Sequence, residues 1–451
     1  MQITLPDKVK SIIRTLKDEG YEAYAVGGCV RDSILGRIPE DWDITTSARP
    51  EEVKALFRRT VDTGIQHGTV TIMMGSEGFE VTTYRIDGDY EDGRHPKEVT
   101  FTTNLVEDLK RRDFTINAMA YSEETGIVDA FTGLADLEHG IIRAVGNAEE
   151  RFTEDALRML RAIRFSAQLN YKIEAGTEQA VRKLAPNLKN ISAERICAEL
   201  VKLLLSDHPE KLRTAYETGV TKIVLPEFDR LFETKQDNPH HCFTVGEHTL
   251  YALQASCLEG LKFKKEEKKL LRLALVFHDM GKPDKETIDE QGISHFYMHA
   301  LKSEELAREI MHRLKFDNDT LYKTAKLVKY HDYQPKLTMP AVRKTITEIG
   351  VELMPVLFAV KRADIAAQSS YKREEKLSYV AEFEQKYEKV LADGDCISLK
   401  TLAVGGKDLI EAGMKPGKAL GETLQELLTD VLNEPLHNTK EYLLSKVTIE
   451  K

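Results

Sequence analysis

The first 120 residues alternate between two hydrophobic periods. KVKSIIRTLKDEG (8–20) carries apolar residues at helical spacing and stops at Gly20, which predicts an amphipathic helix. YEAYAVGG (21–28) reads as a strand running into a glycine turn. HGTVTIMMG and FEVTTYRI are short β-rich runs separated by Gly75 and Gly78, which predicts neighbouring antiparallel strands. KEVTFTT (97–103) is a further strand. From about residue 145 the period turns helical. EDALRMLRAIRFSAQL and ISAERICAELVKLLLS predict amphipathic helices, and helical patterning continues to about residue 395. Glycines then return in AVGGKDLIEAGMKPGKALG. The expected fold is α+β: a small sheet domain followed by a mostly helical remainder.

Composition changes this picture little. A chain of 451 residues with 41% hydrophobic residues supports an ordinary core and about two to four domains. The net charge of −10 excludes a globally basic nucleic-acid binder, so any phosphate recognition must be local. One patch offers it: Lys110, Arg111 and Arg112, followed by Arg158, Arg161 and Arg164. Five scattered cysteines (29, 197, 242, 257 and 396) form no close pair, which argues against a disulfide framework or a zinc ribbon. MQITLPDKVK lacks the apolar core of a signal peptide and no run reaches membrane-span length, so a cytoplasmic location is expected.

Two segments carry chemistry in the first half. GGCVRD (27–32) turns a strand into a helix through Gly27 and Gly28, whose bare backbones let a phosphate approach, and Arg31 adds a planar cation. Alone, a glycine pair before a helix is ordinary turn chemistry. DWD (41–43) on a strand would put Asp41 and Asp43 on one face and Trp42 on the other. Two such carboxylates repel unless a cation sits between them, and Mg²⁺ suits oxygen ligands completed by phosphates. Alone, DWD is equally a polar turn. A glycine turn followed about ten residues later by Asp-x-Asp is the layout of polymerase β-like nucleotidyltransferases. Glu80 could be a third carboxylate on a neighbouring strand, or a plain exposed strand residue.

The chain resembles the bacterial (class II) CCA-adding enzymes, which are tRNA nucleotidyltransferases, and their poly(A) polymerase relatives. RRDFTINAMAY (111–121), IVDAFTGLADLEHGIIRAVG (127–146), RFTEDALRMLRAIRF (151–165) and ISAERICAELVKLLLS (191–206) carry the resemblance, in order and at matching spacing. It implies a nucleotidyltransferase head over 1–145, a helical neck over 146–225, an HD domain over 226–375 and a tRNA-contacting tail over 376–451. It implies Asp41 and Asp43 as Mg²⁺ ligands and catalytic groups, and Gly27, Gly28 and Arg31 as triphosphate contacts. Arg112, Asp113 and Asn117 fall in the ribose and phosphate segment, Asp155 and Arg158 match the pair that reads the incoming base, and Arg161 and Arg164 match further nucleotide contacts. At i and i+3 on a helix, Asp155 and Arg158 would share a face. Their acceptors and donors complement the amine-plus-ring-nitrogen edge common to C and A. Without the motif order, Glu154, Asp155 and Arg158 would read as a solvated helix pairing with itself. Residues 85–101 resemble the family's flexible loop, with Arg94 followed by His95 where two arginines are usual.

The second half holds a histidine set: His248, the adjacent His278 and Asp279 in HDMGKP, His299, His331 and Asp364. It resembles the HD-domain metal-dependent phosphohydrolases. Mixed nitrogen and oxygen ligands suit Mn, Fe, Co, Ni or Zn. His295, Asp332 and Lys282 are candidate supporting groups. Lys415 and Lys418 near Gly417 offer an RNA-backbone contact in the tail, or simply a helix hairpin.

The implied function is addition of C, C and A to the tRNA 3′ end from CTP and ATP, with tRNA gripped through its acceptor and TΨC arms. The alternatives are an A-adding enzyme or poly(A) polymerase and, from another class, an HD phosphohydrolase with an RNA-binding head.

Overall fold

A computed structural model describes residues 2–88, 99–236 and 243–447. It divides into two compact units, Met1–Pro226 and Glu227–Lys451.

The first unit opens on the helix Asp7–Asp18, which buries Val9, Ile12, Ile13 and Leu16, one stripe at i, i+3, i+4 and i+7. Its first nine strands are β1 (Ala23–Val26), β2 (Ile44–Thr46), β3 (Thr60–Gly64), β4 (Thr69–Met74), β5 (Glu77–Thr83), β6 (Arg85–Asp87), β7 (Val99–Phe101), β8 (Met119–Ser122) and β9 (Gly126–Asp129). Seven of them form one mixed sheet in the order β3-β4-β5-β2-β1-β8-β9, and β6 pairs with β7 alone. The sheet is therefore larger than the patterning predicts. Three-residue β2 and four-residue β9 are too short to show a period. Central β1 is buried along its whole length, so its apolar run AYAV does not alternate. Within this sheet β2 and β5 pair in parallel, and their register sets Ile44 beside Val81.

The predicted helix EDALRMLRAIRFSAQL (154–169) is not one helix. The helix Ala148–Glu154 ends at Asp155, and a second runs Leu157–Leu169. Asp155 accepts from the Leu157 backbone N–H at 3.0 Å and so caps the second helix, a local bond that competes with continuing the first. That second helix packs on Ala193–Leu204, with a buried ion pair between them: Arg164 Nε to Glu199 Oε2 at 2.5 Å. Glu199→Ala leaves Arg164 buried with only Gln168 and the Phe165 face, and should cost about 3 kcal/mol. Urea unfolding of the full chain reads this. Wild-type stability would show that the pair does not hold the neck together.

In the second unit the helices Val245–Glu259 and Met354–Ala367 pack on each other. A short hairpin, Thr287–Ile288 with Ser294–His295, interrupts the helices. The tail has its own small core of Leu402, Val404, Leu409, Leu427, Val431 and Leu443.

Candidate functional site

The head site begins where β1 ends. Gly27 turns the chain at φ +83°, a region that favours glycine, and the helix Gly28–Ile34 follows. A Cβ on Gly27 would lie 3.0 Å from Arg112 Nη1, so the bare α-carbon is where that guanidinium rests. The Val26 N–H donates to the Asp43 carbonyl at 3.0 Å, which ties the DWD segment to the glycine turn. Residues 41–43 are not strand, as patterning predicts, but the run-in to β2. Continuing the β2–β5 register by one residue sets Asp43 beside Glu80. The electrostatics agree. Desolvation raises the Asp43 carboxyl above its ordinary value, Arg112 opposes the rise and Asp41 adds to it. Glu80 is raised by burial and by both aspartates. Asp43 and Glu80, both raised, with the Asp41 carboxylate acting on each, form a cradle for a hard divalent cation.

Around this cradle runs a ladder of buried polar groups. Arg31 is paired with Asp32 at 2.8 Å and donates to Asn117 Oδ1 at 2.6 Å. Asn117 Nδ2 donates to Asp113 at 3.1 Å, and Asp113 takes Arg161 at 2.6 Å. Burial alone would raise Asp113, but Arg161 and Asn117 hold it well below the usual carboxylate range. Phe165 is the post of this ladder: the guanidinium carbons of Arg31, Arg161 and Arg164 lie 5.0, 5.4 and 3.9 Å from its ring centroid.

Asp155 and Arg158 come together differently from expectation. They straddle the break between two helices rather than sharing one helix face. Arg195 Nη2 holds Asp155 at 2.7 Å. Arg158 is held by Glu154 at 2.6 Å and by the Arg111 carbonyl at 2.9 Å. Arg164, expected among the nucleotide contacts, is buried against Glu199, Gln168 and Phe165. Sequence reasoning missed Arg195 and Glu199, whose partners lie 40 and 35 residues away. Arg94 and His95 lie outside the described residues.

The second unit gathers every histidine-set residue at one place. His248 lies on Val245–Glu259, His278 and Asp279 follow Lys265–Phe277, and His299 begins His299–Arg313. His331 ends Asn318–Tyr330, and Asp364 lies on Met354–Ala367. Asp279 is shared. Its Oδ2 is 3.2 Å from His278 Nε2 and 3.6 Å from His248 Nε2. Its Oδ1 is 3.3 Å from His299 Nε2 and 3.7 Å from His331 Nε2. Asp364 meets His248 Nε2 at 2.9 Å. The histidines face one another through Nε2, at 3.1 Å for His248–His278 and 3.2 Å for His299–His331.

Backbone carbonyls explain why Nε2 points inward. Nδ1 of His278, His299 and His331 lies 2.7 to 2.8 Å from the carbonyls of Leu275, Phe296 and Val328. A carbonyl only accepts, so Nδ1 carries the proton and Nε2 is left with a lone pair. The two lone pairs of His299 and His331, 3.2 Å apart, repel, and a cation between them removes the repulsion. The arrangement thus fits two adjacent metal positions bridged by Asp279.

Lys282 supports Asp279 at 2.7 Å and is anchored on Gln236. His295 instead pairs with Asp289 at 2.8 Å, on the hairpin. Desolvation raises the Asp332 carboxyl, His299 and Lys361 oppose the rise, and burial pushes the Lys361 amine down to about 8. A cavity of about 740 Å³ opens over the cluster, lined in part by Lys282, His295, Tyr297, Lys361 and Lys376.

Three family models match the chain. The Poly A polymerase head domain covers residues 23–143, the RNA and SrmB-binding site of polymerase A covers 170–232, and tRNA nucleotidyltransferase domain 2 covers 286–447. A CCA-adding enzyme of Ligilactobacillus salivarius is 37% identical over 447 residues, 98% of this chain and 96% of that protein. One of Lactiplantibacillus plantarum is 58% identical over 200 residues, where the match spans 44% of this chain and about half (49%) of the relative. The crystal structure of the Bacillus stearothermophilus CCA-adding enzyme in complex with CTP superposes with a TM-score of 0.73 at 31% identity, covering 98% of this chain and 97% of that one.

Proposed function

The chain belongs to the CCA-adding enzymes, bacterial tRNA nucleotidyltransferases of the poly(A) polymerase family, and from that premise we propose how its own residues add C, C and A to a tRNA 3′ end. The observation that carries the reading is the cradle of Asp41, Asp43 and Glu80 beside the Gly27 turn and Arg112. Asp41 and Asp43, with Glu80 beside them, would hold Mg²⁺. When bound, the ions supply positive charge at the attacking 3′ hydroxyl and at the leaving pyrophosphate.

The remaining work falls to the chain. Gly27 and Gly28 admit the triphosphate against backbone amides, and Arg31 and Arg112 neutralise it. Asp113 and Asn117 offer a fixed acceptor and amide to the ribose. Asp155 and Arg158 read the base edge, accepting the exocyclic amine and donating to the ring nitrogen shared by C and A. G and U present the reverse pattern and leave buried groups unpaired. The rigid holders of that pair, Arg195 on one side and Glu154 with the Arg111 carbonyl on the other, support this role. The helical neck and tail, with Lys415 and Lys418, would contact the acceptor and TΨC arms by shape and phosphate charge. The finer domain limits at 145 and 375, and a cytoplasmic setting, belong to the same proposal. Among the described residues no helix is long and apolar enough to cross a membrane.

Incubating the protein with tRNA transcripts lacking one, two or all three CCA nucleotides, each with CTP or ATP, tests the output. Extension of all three to the full end is the expected result. Extension only of the transcript lacking A identifies an A-adding enzyme, and long A tails identify a poly(A) polymerase.

A second reading rests on the shared Asp279 and its four facing histidines. The second unit would hold a transition metal of the Mn, Fe, Co, Ni or Zn class in an HD-type site and hydrolyse phosphate esters independently of the head.

A further inference from the structure

We propose that Asp108 is a positioning residue for nucleotide addition. It would set Arg112 against the triphosphate turn and, through Arg111, hold the base-reading arginine. The inference rests on the head reading above.

Asp108 lies on the helix Leu105–Lys110 and is fully buried. Its Oδ1 accepts from Arg111 Nε at 3.0 Å, from Arg111 Nη2 at 2.7 Å and from the Arg85 backbone N–H at 3.4 Å. Its Oδ2 accepts from Thr45 Oγ1 at 3.1 Å and lies 3.6 Å from Arg112 Nη2. One carboxylate thus joins three structures that the reaction must keep aligned. Thr45 stands on β2, two residues after Asp43. Arg112 rests on bare Gly27 and attracts Asp43. The Arg111 carbonyl accepts from Arg158 Nη2 at 2.9 Å.

The charge is the informative part. Arg111 and Arg112 are adjacent like charges, with side chains only 17% and 18% exposed. Without a carboxylate between them, one guanidinium would move out to water. Arg112 is the one that can, because Arg111 also has Asp87 within 4.0 Å. Asp108 therefore keeps Arg112 at the phosphate site. If it served stability alone, an apolar residue there with neutral neighbours would do as well. Its spacing from Arg111 and Arg112, i+3 and i+4 on a helical turn, is legible in the sequence once the geometry is known.

The full-length Asp108→Asn variant keeps the shape and removes the charge. The KM for CTP and ATP should rise about tenfold to a hundredfold, while kcat at saturating nucleotide falls much less. Combining it with Arg112→Gln should cost no more than Arg112→Gln alone. A wild-type KM, or additive losses, would overturn the inference. Thr45→Val covers the case in which Asp108→Asn does not fold: it removes one of the carboxylate's donors, and KM should rise about threefold in the same direction. An unchanged KM there overturns the inference too. Asp41→Ala in the same assay separates the two levels: full activity in that variant would fault the head reading, whatever Asp108 does.

Discussion

Replacing Asp41 or Asp43 with alanine should lower nucleotide addition by about 10³-fold or more, with little change in unfolding midpoint. The size follows from where the carboxylates stand. Asp41 and Asp43 are exposed, and among the described residues neither side chain has a hydrogen-bonded partner. Removing one relieves repulsion within the cradle rather than opening a cavity. Stability should therefore be kept or slightly improved, while the cation loses an oxygen ligand. Single-turnover addition to tRNA lacking the final A, with circular dichroism on the same samples, reads both quantities. Normal incorporation by Asp41→Ala would sink the catalytic assignment. Glu80→Gln should have a smaller effect, because Glu80 stands on the neighbouring strand beside Asp43 rather than in the DWD pair.

The second large effect is expected at Asp279. Because its two oxygens face two different histidine pairs, Asp279→Ala should abolish tight transition-metal binding altogether. His299→Ala should remove one ion and leave the position at His248, His278 and Asp279 intact. Metal content after loading with Mn²⁺, Co²⁺, Ni²⁺ or Zn²⁺ and desalting counts the ions directly. Two ions falling to none in the first variant and to one in the second is the expected series. Equal loss in both variants would mean one mononuclear site. Hydrolysis of 2′,3′-cyclic nucleotides should survive Asp43→Ala and disappear in Asp279→Ala. Loss in both would show that the two centres are not independent.

The legibility of this molecule divides by distance along the chain. Local chemistry was readable: Gly27 before a helix start, the DWD pair, and HDMGKP at the end of an apolar helix all carry their signal within a few residues. The α+β character was readable for the same reason, since each long element has its own period. Groupings made by folding were not. Nothing in ISAERICAELVKLLLS announces that Arg195 reaches back to Asp155, or that Glu199 neutralises Arg164. The break at Asp155 was hidden because EDALRMLRAIRF keeps a helical period across it, and only the side-chain cap on Leu157 interrupts the backbone. The histidine set lay between these cases. Its members were identifiable, but that Asp279 is shared depends on five helices converging.

That cap has a consequence for anyone who wishes to retarget the enzyme to other bases. In the proposed role, Asp155 is the acceptor that selects the amine of C and A, yet one of its oxygens also closes the first turn of the helix that carries Arg158, Arg161 and Arg164. Substitutions that abolish the acceptor, such as alanine, would alter selectivity and at the same time loosen the scaffold holding three arginines, by about 1 kcal/mol for the lost cap alone. Asparagine separates the two duties in part: its carbonyl can keep the helix start, but its amide then stands where Arg195 now donates, so the exchange calls for a change at Arg195 as well. Broadened substrate choice is therefore more reachable through amide-for-carboxylate swaps than through truncation, and libraries at this position are best restricted to residues that still cap a helix.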